Sequence, residues 1–331
     1  PVGDAPSSCD PCLLASGLNH PFLMTADSQN VYWTEFGDDL GVGNGAVKGC
    51  PTSGCGGSGP TLYAQGLVNP RGIAVDATNV YYGTASYGAV NGGIWSCAIG
   101  GCGGSPMLLS AADVPYGVTV DATAVYWVDN DDGTVHKVAK TGGPATTLYD
   151  GGSVDDAGDT LSELGQCAVG ANHLVFGDYS EDIYSIPTGG GPPLYLGNGF
   201  NNQFYGSYFG ITADSTSVYS GGNGLLLRAT PQVLDSGTTL VGNVVEPIGL
   251  QWDPASGLLY WANYGSGYGN DGTVGRVATD GGGLHTLRAS LETPEAIAVS
   301  GQYALWISNG TLSDGGSGTN PSSGALWRTA K

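Results

Sequence analysis

The chain has 331 residues, enough to bury a large core, with 29 acidic against 9 basic side chains and a formal charge of −20. That charge repels phosphate backbones and anionic membranes, which argues against nucleic-acid and lipid-surface binding and leaves cations, cationic partners and neutral glycans as ligands. No stretch approaches the roughly 18 apolar residues of a membrane span, and 59 glycines, 11% charged residues and the lack of a long helical period favour short strands and tight turns.

In chain order, the polar, proline-rich start at Pro1 reads as the lead of a mature or trimmed product. A first-strand element then recurs seven times: HPFLMTAD (20–27), PRGIAVD (70–76), PYGVTVD (115–121), LGQCAVG (164–170), YFGITAD (208–214), PIGLQWD (247–253) and PEAIAVS (294–300). Each copy is followed by a second strand such as VYW (31–33), VYW (125–127) or LYW (259–261), then by a third and a fourth. The clearest copy is 115–150, where DAT, DNDDG and TGGP turns separate four β-branched or aromatic runs. A four-stranded unit of roughly 40 residues, repeated, is the mark of a β-propeller blade. The expectation is an all-β, seven-bladed β-propeller of four-stranded antiparallel blades, with six blades as the alternative. It forms one domain over 1–331, because a closed ring overrules the length prior of two domains.

The seventh copy ends at Lys331 without a fourth strand, and PCLLASGLNHP (11–21) matches PTLYAQGLVNP (60–70). Residues 1–18 are therefore expected to supply a lead and a latch strand that completes the last blade and closes the ring.

Apolar-Ala-Val-Asp, then Val/Leu-Tyr-Trp, then apolar-x-Arg and a Gly-rich turn resembles the YWTD repeat of low-density-lipoprotein-receptor-type propellers. The pattern is also similar to NHL and strictosidine-synthase-like propellers. The resemblance implies a propeller of six blades in the YWTD case, and members that bind proteins, bind ligands or act as enzymes.

Cys50 with Cys55 and Cys97 with Cys102 occupy the same turn in two copies, and Cys9 with Cys12 is a third close pair. Hairpin-mouth spacing and the lack of a second half-site favour disulfides over zinc, hence a secreted, periplasmic or cell-surface location. Cys167 is left over as a buried thiol. Lys48, Lys137, Arg228, Arg276 and Arg328 share a third-strand position, and Asp27, Asp76, Asp121, Asp214 and Asp253 end first strands. Both sets read as blade-holding ion pairs or turn hydrogen bonds. The second-strand Tyr and Trp residues read as core between blades.

Loops of variable length fall on one face and mark it as functional. Asp129, Asp131, Asp132 and Glu163 are its candidate metal ligands, with Ca²⁺ as the candidate ion because clustered carboxylates suit a hard cation. Tyr116, Tyr205, Tyr208, Tyr264 and Tyr268 are candidate ligand-binding residues, suited to stacking on sugars or to a protein interface. The favoured function is a binding module for a glycan or protein. The alternative is a propeller enzyme, lyase or hydrolase, with a metal or carboxylates such as Glu163, Glu246, Glu292 and Glu295 at the central pore. The four histidines fall on different repeat positions, which argues against a histidine triad or metal site.

Overall fold

The structure, a computed structural model, describes residues 9–38, 43–57, 59–87, 92–151, 164–178, 182–198, 210–222, 224–233, 237–242, 244, 247–266, 270–309 and 324–331. Their strands form seven four-stranded antiparallel sheets and no helix. Blades 1 to 6 span 21–67, 73–111, 115–149, 167–198, 211–242 and 247–291, and blade 7 combines 294–330 with the N-terminal strand Cys12–Leu18. Neighbouring inner strands touch in chain order, and Pro294–Ser300 of blade 7 meets Pro21–Ala26 of blade 1. The chain is a seven-bladed β-propeller, and the six-bladed alternative is set aside.

The expected latch is present. Cys12–Leu18 runs antiparallel to the last strand, from Cys12 opposite Arg328 to Leu18 opposite Gly324. Leu18 anchors it, buried with Met24, Trp33, Leu305 and Leu326.

Burial follows the blade architecture. Second strands are covered on both faces by neighbouring blades, so they read as continuous buried runs, whereas outer strands are largely exposed around a short buried stretch. Tyr32, Trp33, Tyr81, Tyr82, Trp127 and Trp306 are among the largest fully buried side chains. In all seven blades a β-bulge interrupts the pairing of the third strand with the fourth. A bulge bends an outer strand away from flatness and makes its free edge a poor template for another chain.

At the centre the blades approach so closely that small residues are required. A Cβ on Gly117 would lie 2.7 Å from the Gly165 carbonyl, and one on Gly72 would lie 2.7 Å from the Tyr116 carbonyl.

The aspartates that end first strands close the short turns. Asp121 Oδ1 accepts the backbone N–H of Thr123 and Ala124, and Oδ2 accepts the Tyr126 hydroxyl at 2.8 Å. Asp27 with Tyr32, Asp76 with Tyr81 and Asp214 with Tyr219 repeat this clasp. The turn hydrogen bond is thus confirmed, but the third-strand bases are not its partners. Lys137, Arg328 and, in their place in blade 4, Ser185 instead donate to backbone carbonyls of the following blade, at Thr188, Thr52 and Pro231.

Lys48 is a correction to the repeat alignment. It lies opposite Trp33, whereas Lys137 lies opposite Tyr126, so the true equivalent in blade 1 is Gly49, opposite Tyr32. A one-residue slip turns a strand side chain to the other face, and Lys48 there pairs with Glu35 at 2.7 Å.

Three disulfides form, Cys9–Cys12, Cys50–Cys55 and Cys97–Cys102, with Cα separations of 5.1, 4.9 and 5.3 Å. Cys167 is a buried free thiol whose surroundings raise its pKa, burial outweighing one backbone hydrogen bond.

Candidate functional site

Aligning the inner strands on their close-packed small residues places Phe22, Arg71, Tyr116, Gly165, Ile248 and Glu295 at equivalent positions around one mouth of the central channel. Residue 209, the blade 5 equivalent, lies outside the described residues. The channel has a volume of about 270 Å³ and is walled by inner-strand residues of all seven blades, with polar groups from Thr25, Thr119, Gln166, Thr212 and Gln251.

An arginine bound by aromatic rings lies across the mouth. The Arg71 guanidinium carbon is 4.6 Å from the Tyr116 ring centre, 5.4 Å from Phe36 and 5.9 Å from Phe22. Phe22 and Tyr116, two blades apart, meet edge to face at 5.5 Å. The Arg71 Nε is buried without a hydrogen-bond partner. Ion pairs among the described residues are made by Lys48, Lys140, Arg288 and Lys331, and none involves Arg71.

Glu295 stands one blade to the other side of Phe22. Burial pushes its carboxyl up to about 8, against the lowering effect of an Asn309 hydrogen bond, so it is largely protonated at neutral pH. Of the other pore glutamates, Glu292 is exposed and Glu163 and Glu246 lie outside the described residues.

Several acids of the loop face serve as internal wiring. Asp129 ends the second strand of blade 3, and its two oxygens accept the backbone N–H of Asp113 and Val114 at 3.0 and 2.8 Å. Burial raises its carboxyl to about 6, more than these hydrogen bonds lower it, and Asp132 and Asp113 add to the rise. At the same position in blade 1, Glu35 takes hydrogen bonds from Trp33 Nε1, the Asn19 N–H and Lys48. Asp38 ties Asn19 to Asn44, and Asp271 accepts the Ser266 N–H. Asp131 and Asp132 are exposed, and Asp132 also holds the Thr134 hydroxyl at 2.6 Å. Among the described residues no group of three or more His, Cys, Asp or Glu side chains is placed to hold a metal ion.

The predicted tyrosines separate. Tyr116 is 3% exposed, a correction to its reading as an open platform, because its ring is spent on Arg71 and Phe22. Tyr264 is half-buried, and Tyr205, Tyr208 and Tyr268 lie outside the described residues, as does Glu163. Tyr87, at the loop end of blade 2, is 55% exposed. Sequence reading did not single out Phe22 or Arg71. The available signal was the shared position of Phe22, Arg71 and Tyr116, each just ahead of the tight inner-strand contact.

No protein-family model matches the chain, and no curated protein matches it by sequence. Solved structures match it in fold. The crystal structure of a nidogen/laminin complex aligns with a TM-score of 0.51 at 16% identity, over 70% of this chain and 85% of that one. The WD40 β-propeller domain of Doa1 aligns with a TM-score of 0.61 at 11% identity, over 98% of this chain and 96% of that one. At such identities the likeness is one of fold, and it places this chain among β-propellers.

Proposed function

We propose that the protein is an extracellular binding module that engages a protein partner through the loop face around the channel mouth. The observation that carries this reading is the asymmetry of the two ends of the ring. At one end the turns are short and fastened by repeated Asp–Tyr clasps. At the other end the connections differ in length from blade to blade, and Arg71 with its rings lies at that end. A rigid scaffold carrying variable loops at one end is the usual arrangement for recognition. One of the two structural likenesses described is the nidogen/laminin complex, which adds support for a protein ligand, and the three disulfides fit an oxidising compartment.

The test is a panel of immobilised extracellular proteins and glycans probed with the wild-type protein, a Tyr87→Ala/Tyr264→Ala variant and an opposite-face control, Thr78→Ala. The expected result is a protein signal that the loop-face variant loses and the control keeps. A signal kept by the loop-face variant and lost by the control defeats the proposal, and a signal confined to glycans reassigns the ligand class.

Ca²⁺ belongs to this proposal at the exposed Asp131 and Asp132. Calcium added to EDTA-treated protein is expected to raise its melting temperature, and an unchanged melt removes the ion from the reading.

A further inference from the structure

We infer that the channel mouth is a carboxylate-binding site in which Arg71 supplies the cation and Phe22, Phe36 and Tyr116 hold it in place. The inference rests on the reading of this end as the binding face, and names a ligand chemistry for it.

The charge pattern is the first reason. In a chain with 29 acids and 9 bases, an arginine has an excess of potential partners, yet among the described residues no acid pairs with Arg71. It is surrounded instead by aromatic rings at 4.6 to 5.9 Å. Aromatic faces attract a guanidinium and fix its plane, but they accept none of its N–H bonds along the edge.

The second reason is the buried Nε without an acceptor. A desolvated donor left unmade is costly, and folded proteins keep few of them. A planar carboxylate satisfies it directly, since its two oxygens take the Nε–H and a neighbouring Nη–H in parallel bonds. The rings have already restricted the side chain, so little rotamer freedom remains to be lost on binding.

The neighbours point the same way. Across Phe22, Glu295 carries a proton at neutral pH, so it offers an O–H donor where an ionised acid would repel the ligand. Behind the mouth the channel offers about 270 Å³, lined by the Gln166 amide and by hydroxyls from Thr25 and Thr119. The fitting ligand has a carboxylate head on a short polar or aliphatic stem. Both a free organic acid and an acidic side chain of a protein partner answer that description.

The experiment follows the Nε–Hε resonances of uniformly ¹⁵N-labelled full-length protein, with the Arg71 signal assigned through its own backbone. Acetate, glutarate, a blocked tripeptide Gly-Asp-Gly and its Gly-Asn-Gly counterpart are titrated against sodium chloride of equal ionic strength. The expected result is a saturable shift of Arg71 with acetate, glutarate and the Asp peptide, absent with the Asn peptide and with chloride. Arg228, whose Nε donates to the Ser217 hydroxyl, and Arg276 serve as internal controls, while Arg288 and Arg328, whose Nε groups are also buried without an acceptor, test whether that feature alone draws a carboxylate. A peptide at least about tenfold tighter than acetate, roughly 1.4 kcal/mol, identifies a partner's side chain as the source, and equal affinities identify a free acid.

Arg71→Lys keeps the charge and removes the fork, and is expected to weaken the acids about tenfold or more by competition against the wild-type signal. If Arg71 moves no more than the other arginines, the site does not exist. That outcome is read on the wild-type protein, so it depends on no variant folding. The titration contains no macromolecular partner, so a negative result leaves the loop-face proposal standing, and failure of that proposal leaves the titration interpretable.

Discussion

Lys140 of blade 3 reaches back to blade 2 and places its Nζ 2.8 Å from Oδ2 of Asp76. The same oxygen accepts the Tyr81 hydroxyl at 2.9 Å, so one carboxylate joins a turn, a buried tyrosine and the next blade. Burial alone would raise the Asp76 pKa, but Lys140, the Thr78 and Asn79 N–H groups and Tyr81 outweigh it and hold the carboxyl well below its usual range. A depressed folded-state value means that the stabilisation is present above the unfolded value of about 4 and is lost as acid protonates the folded form. Lys140→Met is expected to cost about 1 kcal/mol at neutral pH and to flatten stability against pH below about 4. Urea melts across that range check both.

Asp129 has the opposite sign. Its folded-state value of about 6 lies above the unfolded one, so stability is full below about 4 and falls as pH rises towards about 6. Asp129→Asn removes this slope. It also leaves one of the Asp113 and Val114 N–H groups facing an amide N–H, at a cost of about 1–3 kcal/mol. A variant that keeps the wild-type slope between pH 4 and about 6 contradicts the assignment.

Glu295 extends the same behaviour to higher pH. With a folded-state value of about 8, its contribution declines as pH climbs from about 4.5 to that point. Glu295→Gln is expected to lose this decline, most cleanly between about pH 6 and 8 where Asp129 no longer titrates, and to melt above the wild type at alkaline pH. A carboxyl that titrates near about 4.5 by ¹³C NMR would refute the buried, protonated state.

Gly117 tests the packing of the ring. A methyl group placed 2.7 Å from the Gly165 carbonyl must push two blades apart, so Gly117→Ala is expected to destabilise by about 1–3 kcal/mol. Gly100→Ala, where a Cβ would meet nothing within 4 Å, is the control and should stay within about 0.5 kcal/mol.

The fold was legible because a repeat states each blade several times, and because PCLLASGLNHP repeats a fourth-strand pattern at the opposite end of the chain. Disulfide pairing followed for the same reason. The site was less legible. Lys48 was misplaced because Ala-Val-Lys (46–48) in blade 1 imitates Val-His-Lys (135–137) in blade 3 one residue out of register, and only Tyr32 opposite Gly49 fixes the pairing. A Cβ on Gly49 would stand 2.8 Å from the Tyr32 ring, a constraint invisible without the neighbouring strand. The Asp–Tyr clasp was visible as a five-residue spacing in four copies, but a surplus of bases at another repeat position suggested ion pairs instead. Arg71 is a single residue in a single copy, and its meaning depends on rings contributed from blades 1 and 3.

The latch also sets the mechanics of the molecule. Because Cys12 pairs beside Arg328 and Leu18 beside Gly324, tension on the two chain ends acts at the same edge of this strand pair. Its bonds would be peeled in succession rather than sheared together. Among the described residues, load reaches Asp10, held by Arg288 and the Thr329 hydroxyl, at one end and Lys331, held by Asp253, at the other. A tether attached at both ends would open blade 7 before any other part of the ring, whereas a load applied across the loop face would be shared by all seven blades.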